Sequence, residues 1–540
     1  MKKDLSSKDL SHHGIVATVC DEIGLVEKID SIIPPDPRAE LSIGECVKLM
    51  IINGLGFCSR PLYLQAQFFD SKPIQRFLGR ELPSEKISDD RLGRCLDKCY
   101  EEGCDKIFAE VSSKAALNYG VSRKFRHLDS TSISVCGEYE TESEDDFKLV
   151  TFGHSKDHRP DLKQFMISLI SSQDGDVPLL AQTIPGNTSD QTHFKDVLMQ
   201  LKLQINEGES TYFVADSALY TSKTLPEISD KLKWISRVPE KIKEVKAFEQ
   251  ETDVTDMIEV GDGYSTLEKK SDYAGVNQRW LLVFSEQAKK REVKTLEKRI
   301  AKELVKAKKD IKKITSIQFS CKSDATVAVE AFVKNLKYHR LKNVIVHEKK
   351  VKKGQGRPRK DEKTSYVYSL QVEFEKDEDA ISSEMNTKGK FVIATNELDS
   401  DCLSNGELLF NYKNGQQSVE RGFKFLKDPS FMCASTYLKR QERIVALGMI
   451  MCLCLLVYML AQILLRTQLT KLKETVPDQK GKESERPSMR WIFQVFEGVH
   501  LLLQKVNGRT KELVLNLNPV REKILSIIGP RFEKMYESTG

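Results

Sequence analysis

The stretch Thr211-Tyr-Phe-Val-Ala-Asp216 decides the fold, because it is an apolar run that ends in an aspartate and is too hydrophobic for an exposed sheet edge. Other short β-type runs stand on both sides of it. They predict strands at 125–135, 147–153, 164–171 and 178–183 before it and at 234–238 after it, with helices at 191–203 and 222–232. The sequence therefore predicts an α/β sheet in this part of the chain.

The order of these elements is that of an RNase H-like fold, although many α/β folds contain a similar series. Asp216 falls at the carboxyl end of its strand, which is where open α/β sheets place their ligand sites. Asp129 lies in His127-Leu-Asp-Ser-Thr-Ser132, where small hydroxyl side chains leave room for a metal ion and a phosphate. For either aspartate taken alone, the alternative is a purely structural role as a strand-end cap or a turn residue.

The length and composition exclude peptide-like, disulfide-stapled and wholly disordered proteins. The chain has 540 residues, of which 40% are hydrophobic and 30% charged, and this predicts three or four structural units. The N-terminal Met-Lys-Lys-Asp-Leu-Ser-Ser lacks an apolar segment, so we expect no signal peptide. The scattered cysteines show no paired C-x-x-C motifs, and we expect reduced thiols in a cytosolic protein.

Changes of pattern divide the chain into five regions. We predict a helical N-terminal domain at 1–120 and the first part of the α/β core at 121–240. A β-rich basic insertion follows at 241–400, the second part of the core at 401–474, and a helical C-terminal tail at 475–540, which is expected either to mediate self-association or to pack within the chain.

Positive charge is concentrated in the insertion. Residues 285–360 contain 24 Lys/Arg against 8 Asp/Glu, a net charge of +16 in a chain whose total is +5. A predicted helix in this segment has an apolar stripe with lysines on its other face. Such a face suits a polyanion, while a solvated helix surface is the alternative. The stripe consists of Val293, Leu296, Ile300, Leu304, Ala307, Ile311 and Ile314.

The segment Ile444–Leu465 is apolar over 22 residues, which is long enough to cross a bilayer. Basic residues flank it on both sides, so the charge asymmetry of a membrane span is missing. We therefore predict a buried central helix, with a membrane anchor as the alternative.

A third acidic residue, Glu420, lies in Gln416-Gln-Ser-Val-Glu-Arg-Gly-Phe-Lys-Phe-Leu-Lys427. On a helix, Glu420, Lys424 and Lys427 fall on one face, which suits a metal ion beside a phosphate backbone. An ordinary Glu-to-Lys surface pair has the same spacing.

Taken together, four motifs resemble the DDE-class insertion-sequence transposases that carry a β-rich insertion before the catalytic glutamate. They are HLDSTS at 127–132, VADSALY at 214–220, WISRVP at 234–239 and NGQQSVERGFKFLK at 414–427. The resemblance implies an RNase H-like core in which Asp129, Asp216 and Glu420 bind two Mg²⁺ ions, with Mn²⁺ as a substitute. It also implies DNA-end binding or dimerisation by the region 1–120, and catalysis by the core. The expected reactions are cleavage of transposon ends and strand transfer to target DNA, by a homodimer on double-stranded DNA in the cytoplasm of a prokaryotic cell.

The family signature, Y-x2-R-x3-E-x6-K, is only partly present. Lys427 stands in its lysine position, but the arginine position holds Gln416 and Tyr412 comes one residue early. Arg421 or Lys424 could substitute electrostatically. The predicted DNA contacts are Tyr412, Gln416, Arg421, Lys424, Lys427, Arg237 and Trp280, with His154 and Lys156 expected close to the DNA beside the active site.

Two points stay open in this interpretation. Trp280 stands beside four apolar residues, so it is either a core residue or a platform for an extruded base. The departures from the signature also permit a catalytically inactive DNA-binding protein derived from a transposase.

Overall fold

The computed structural model describes residues 5–57, 61–137, 139, 148–174, 176–189, 193–194, 196–198, 211–351, 365–428, 438–506 and 509–539, without the side chains at 62, 365, 416–419, 506 and 509. The strands are β1 Leu5–Asp9, β2 Phe125–Val135, β3 Lys163–Ser172, β4 Pro178–Pro185, β5 Tyr212–Ala215, β6 Lys233–Arg237, β7 Ile258–Gly261, β8 Tyr264–Ser271, β9 Gln278–Ser285, β10 His339–Val351, β11 Ser365–Lys376, β12 Lys390–Thr395, β13 Val476–Pro477, β14 Glu483–Ser484, β15 His500–Val506 and β16 Arg509–Leu515.

The longer helices are α1 His13–Glu22, α2 Leu25–Ile32, α3 Ile43–Gly54, α4 Gln65–Asp70, α5 Ile74–Leu78, α6 Asp89–Glu102, α7 Cys104–Asn118, α8 Thr224–Ser229, α9 Lys243–Glu251, α10 Glu286–Thr315, α11 Lys322–Val333, α12 Glu378–Asn386, α13 Asn405–Leu426, α14 Gln441–Leu472, α15 Met489–Val495, α16 Pro519–Ile528 and α17 Pro530–Met535. These elements form two compact units. The first contains residues 1–236, 273–276 and 407–540, and the second contains 237–272 and 277–406.

The sheet of the first unit is mixed, with strand order β4-β3-β2-β5-β6. β2, β3 and β4 are antiparallel neighbours, while β5 and β6 run parallel to β2. All four residues of β5 are buried, as expected for a parallel strand covered on both faces. The mixed sheet and the many helices agree with the predicted α/β class.

Helix α14 is the centre of the first unit. It is long and apolar enough to cross a membrane, but its most apolar window is entirely buried by protein. Helices α1, α3, α6, α7 and α16 and strand β4 pack around it. The prediction of a buried central helix is confirmed. Because elements from four of the predicted regions share this helix as their core, they form one compact unit and not separate domains.

The two terminal regions are not purely helical, which corrects the predictions for 1–120 and 475–540. Strand β1 pairs with β15, and β15 pairs with β16, in a three-stranded antiparallel sheet. Leu501–Leu503, part of the predicted helical tail, lie in a strand because β15 pairs with β16. Its signal in the sequence is Asn507-Gly508 between two apolar runs.

Long-range contacts hold the two ends of the first unit together. The Tyr536 hydroxyl donates a hydrogen bond to the Ser11 carbonyl oxygen. Arg76 pairs with Glu512 at 2.6 Å and donates to the Met535 carbonyl oxygen at 2.9 Å. Both side chains of the ion pair are largely buried, so the contact is part of the packed interior of the unit.

Two further predictions about local structure need comment. The predicted strand at 147–153 is reduced to a single bridge between Thr151 and Gln164, and residue 147 lies outside the described residues. Most of the predicted helix at 191–203 also lies outside them, although residues 193–194 and 196–198 are helical.

The second unit contains the antiparallel sheet β12-β9-β8-β7, the separate hairpin β10-β11 and helices α9 to α12. Helix α10 buries Leu296 and Ala307, and the other residues of its apolar stripe are half-buried. The helix therefore packs through the stripe that the sequence predicts.

We expect acid to destabilise the first unit through His12. Burial lowers the pKa of His12 to about 4, although its ring nitrogen lies 2.9 Å from the Leu55 carbonyl oxygen, a contact that opposes this shift. The unfolded chain binds a proton at about pH 6.5, before the folded chain does. The free energy of unfolding should therefore fall as the pH drops from 6.5 towards 4, by about 2 kcal/mol at pH 5.

Urea unfolding at pH 7 and pH 5 measures this loss. His12→Phe keeps an aromatic ring against Phe493 and should remove about 2 kcal/mol of the difference between the two pH values. His154→Gln, at an exposed position, is the matched control and should not change it. An unchanged pH dependence in His12→Phe would contradict the assignment.

Candidate active site

The register of two neighbouring parallel strands brings Asp129 and Asp216 together. His127 pairs with Val214 and Leu128 with Ala215, so the next position of β2 is Asp129 and the residue after β5 is Asp216. Adjacent strands lie about 4.8 Å apart, and paired residues of parallel strands point to the same face. The two carboxylates are therefore neighbours across the strand pair, with Asp129 inside β2 and Asp216 directly after the carboxyl end of β5.

Hydrogen bonds fix the backbone around both aspartates. Asp129 Oδ1 accepts from the Ser130 amide at 2.7 Å, and Asp216 Oδ1 accepts from the Ala218 amide at 2.8 Å. The Ser236 hydroxyl on β6 donates to the Asp216 carbonyl oxygen at 2.7 Å. The bond from the Ala218 amide closes the turn that follows β5, whereas Asp129 and Ser130 are both part of the continuous strand β2.

Lys156 brings positive charge to the same place. Its Nζ lies 3.8 Å from Asp129 Oδ1 and donates to the Ser130 carbonyl oxygen at 2.6 Å. The Lys156 amide donates to the Ser132 hydroxyl at 3.0 Å, which fixes the loop against β2. The structure thus places Lys156 beside the predicted carboxylates.

Helix α13 crosses the sheet at close range. A Cβ atom at Gly415 would lie 1.7 Å from His127 Nδ1, and a Cβ atom at Gly422 would lie 3.8 Å from Leu169 Cδ1. His127 is two residues before Asp129 on β2, and Leu169 pairs with Asp129 across β2 and β3. The helix therefore packs over the strand that carries Asp129.

Two ion pairs hold this helix at its C-terminal half. Arg421 binds Asp176 through two hydrogen bonds of 2.6 and 2.9 Å. Lys427 Nζ lies 2.6 Å from Asp157 Oδ1, and Asp157 directly follows Lys156. Asp157, Asp176, His127 and Gly415 were absent from the predicted site. Only Gly415, a glycine inside a helical pattern, carries a recognisable sequence signal, that of close packing.

Glu420 lies on α13, but its side chain is exposed. It is seven residues before Lys427, so it occupies the helix flank that faces the loop containing Lys156 and Asp157. In the described part of the chain, no three His, Cys, Asp or Glu side chains lie close enough together to hold a metal ion. The structure brings the two aspartates together and leaves Glu420 outside their cluster.

The donor set nevertheless fits a divalent cation. Asp129 and Asp216 provide carboxylate oxygens at neighbouring positions, and Mg²⁺ prefers such ligands together with water and phosphate oxygens. Burial of a carboxylate pair without a cation would be costly, but both aspartates are only half-buried. The pair can therefore exist before a metal ion binds.

The predicted DNA contacts divide into four groups. Trp280 and Tyr412 are 1% and 4% exposed, so both are core residues; for Trp280 this is one of the two alternatives that the sequence leaves open, and for Tyr412 it contradicts the predicted DNA contact. The apolar neighbours of Trp280 on β9 and the buried face of α13 account for this. Lys424 is exposed, Arg421 and Lys427 are in the ion pairs described above, and Arg237 pairs with Glu240 at 2.7 Å. The side chain of Gln416 lies outside the described residues.

Arg421→Ala should affect stability more than DNA binding. Asp176 is 8% exposed, so loss of the guanidinium leaves a buried carboxylate without its charged partner. We expect the free energy of unfolding to fall by about 1–3 kcal/mol, less than for a fully buried pair because Arg421 is half exposed. Urea unfolding measures the change.

Lys424→Ala, on the same helix at an exposed position, is the control and should change stability by less than about 0.5 kcal/mol. If the two variants are equally stable and Arg421→Ala binds DNA more weakly than Lys424→Ala, Arg421 is a DNA contact and not a structural residue.

Two family models match this chain. A family model described as "Transposase DDE domain" matches residues 122–457, and one described as "Domain of unknown function (DUF4277)" matches residues 5–113. The search of curated proteins found no match. Among solved structures, the chain is similar to the cryo-EM structure of the piggyBac transposase synaptic complex with hairpin DNA. The identity is 10% and the TM-score 0.38, over 89% of this chain and 77% of the other.

Proposed function

Since this chain belongs to the Transposase DDE domain family and is a transposase, we propose that Asp129 and Asp216, with Glu420, form a metal-dependent centre that cuts the ends of an insertion sequence and joins them to target DNA. The observation that supports the proposal is the register of β2 and β5, which continues to Asp129 within β2 and to Asp216 directly after the carboxyl end of β5.

In this proposal Asp129 and Asp216 hold Mg²⁺, or Mn²⁺ in its place, and Glu420 contributes from the flank of α13. Such cations, when bound, supply activation of the attacking hydroxyl and stabilisation of the leaving 3′-oxygen. Lys156 and Lys427 add positive charge at the site, which favours a DNA phosphate close to the carboxylates. Both lysines are already oriented by protein contacts and need little reordering when DNA binds.

Further parts of the proposal rest on the chemistry of the reaction. Joining two ends requires both to be held at once, so we propose a homodimer on double-stranded DNA. We also propose a cytoplasmic location in a prokaryotic cell, where that DNA is accessible.

The test is incubation of the full chain with the DNA that flanks its own reading frame. We expect cuts at the element boundaries, leaving 3′-hydroxyl ends, with Mg²⁺ or Mn²⁺ and none with EDTA. End mapping on a sequencing gel measures this. Binding without cutting under any of these metals would contradict the catalytic part.

The exposed position of Glu420 favours a second candidate, a catalytically inactive DNA-binding protein derived from a transposase. It differs from the first candidate in one observable. The inactive protein binds the flanking DNA equally well with Mg²⁺ or EDTA and leaves it intact, whereas the enzyme cuts it only when the metal is present.

A further inference from the structure

Helix α10 is unusually rich in positive charge. Its 30 residues contain 12 Lys/Arg and 5 Asp/Glu, and every one of the twelve basic residues is exposed. The side that packs against protein is the apolar stripe around Leu296 and Ala307.

The basic residues are gathered on the side opposite the stripe. With about 100° between successive residues, nine of them project within about 70° of the direction opposite Leu296 and Ala307, and none of the five acidic residues of this helix does. We call these nine the outward face of α10: Lys290, Arg291, Lys294, Lys298, Lys302, Lys308, Lys309, Lys312 and Lys313.

Two of the five acidic residues of α10, Glu292 and Glu303, bond to other parts of the second unit. Glu303 accepts hydrogen bonds from the amides of Lys337 and Tyr338 at 3.1 and 2.8 Å and lies 2.9 Å from His339 Nδ1. Glu292 accepts from the Gly389 amide at 3.0 Å. These carboxylates are therefore committed to holding the helix in place and are not available to neutralise the outward face.

The outward face is left almost without neutralising partners. Within the described residues, Lys290 is its only member in an ion pair, with Glu286 at 2.8 Å. A helix whose lysines serve only solubility carries acidic residues interspersed with them, because like charges at a spacing of four destabilise a helix. Lys294, Lys298 and Lys302 follow one another at that spacing, so this arrangement costs stability unless an anionic partner offsets it.

The dimensions of the face fit duplex DNA. Thirty residues at about 1.5 Å each give a helix of about 45 Å, longer than one turn of B-DNA. Duplex DNA carries one phosphate charge per about 1.7 Å of its axis, and lysines bind phosphate as point charges without reading sequence. A compact anion would occupy only one or two of these lysines, whereas a DNA backbone can occupy several at once.

We infer that the outward face of α10 is a binding surface for the phosphate backbone of double-stranded DNA, independent of base sequence. The inference rests on the proposed function only in taking DNA as the partner. The surface would add affinity for DNA of any sequence, and so hold a duplex on the protein whether or not the reaction proceeds.

The test measures the salt dependence of binding by the full chain. The probe is a fluorescein-labelled 30-base-pair duplex of random sequence, in EDTA so that no cleavage occurs, titrated between about 50 and 300 mM KCl. The test variant carries Lys294→Gln, Lys298→Gln, Lys309→Gln and Lys312→Gln. Glutamine keeps helix propensity and length, and an unchanged thermal midpoint confirms folding.

The control removes the same charge from exposed lysines of the first unit, with Lys480→Gln, Lys482→Gln, Lys505→Gln and Lys511→Gln. At about 0.9 per lost phosphate contact, the slope of log K against log salt should become shallower by about 3.6 in the test variant, with at least a tenfold loss of affinity at low salt. The control should keep the wild-type slope. Equal slopes for the two variants would overturn the inference.

This outcome is separable from the outcome for the proposed function. If the protein cuts its flanking DNA but the test and control variants have equal salt slopes, the proposed function stands and the DNA-binding role of the outward face is refuted. If the protein never cuts DNA but the test variant has the shallower salt slope, the catalytic proposal is refuted and the DNA-binding role of the outward face is supported.

Discussion

Asp216→Asn should reduce DNA cleavage by about 1,000-fold or more while DNA binding remains unchanged. The substitution keeps the size of the side chain and removes the negative charge that a divalent cation needs. The hydrogen bond that the Ala218 amide gives to Asp216 Oδ1 can form equally well to an asparagine oxygen, so the turn should persist. Cleavage of the flanking DNA and binding of the same fragment in EDTA are the two measurements.

A matched control is Asp230→Asn, which removes one carboxylate from an exposed position shortly before β6. It should cut DNA at the wild-type rate. Full cleavage by Asp216→Asn would show that the pair of aspartates is not the metal centre. The variant Glu420→Gln tests whether the metal centre contains three carboxylates or only the two aspartates. A loss of cleavage as large as that of Asp216→Asn means that Glu420 joins the aspartates when DNA and metal bind.

Gly415→Ala should disturb both stability and cleavage. The new methyl group would lie 1.7 Å from His127 Nδ1 and 2.0 Å from its Cε1, and the His127 side chain is buried. Overpacking costs about 1–3 kcal/mol, against which alanine gains about 1 kcal/mol of helix propensity. Because α13 also carries Glu420, a displaced helix should lower cleavage more than the loss of stability alone would.

The same helix provides the control. Gly406, near its start, has no atom within 4 Å of its added Cβ, so Gly406→Ala should leave cleavage intact and keep or raise stability. The double variant His127→Ala with Gly415→Ala should recover part of the lost stability, since removing the ring makes space for the methyl group. Urea unfolding of the wild type, the single variants His127→Ala and Gly415→Ala, and the double variant forms a double-mutant cycle. Additive losses would mean that the two residues do not touch.

The sequence predicts best those helices and strands whose signal lies within one short stretch of the chain. The strand that ends at Asp216 is predictable because an apolar run flanked by turn residues has few alternatives, and the buried helix α14 is predictable because it is apolar on every side. The hairpin of β15 and β16 was missed, since three consecutive leucines fit both periodicities and only the Asn-Gly pair distinguishes them.

The candidate site is harder to predict, because it depends on contacts between distant parts of the chain. The sequence shows that Asp129 and Asp216 are carboxylates, but their proximity depends on the pairing of β2 with β5 across more than 80 residues. The closeness of His127 to Gly415 depends on where a helix crosses a sheet, which no local pattern records. Tyr412 was misjudged for the same reason, because residue type does not reveal which face of an element is covered.

The pairing of β1 with β15 has a consequence for the synthesis of the protein. The first of these strands leaves the ribosome almost 500 residues before its partner exists, so the N-terminal segment cannot complete its sheet while translation is under way. Until residues 500–506 emerge, β1 has an open edge that a chaperone can shield or a second nascent chain can occupy. Premature termination anywhere before that point leaves the earliest part of the molecule unfinished as well as the latest.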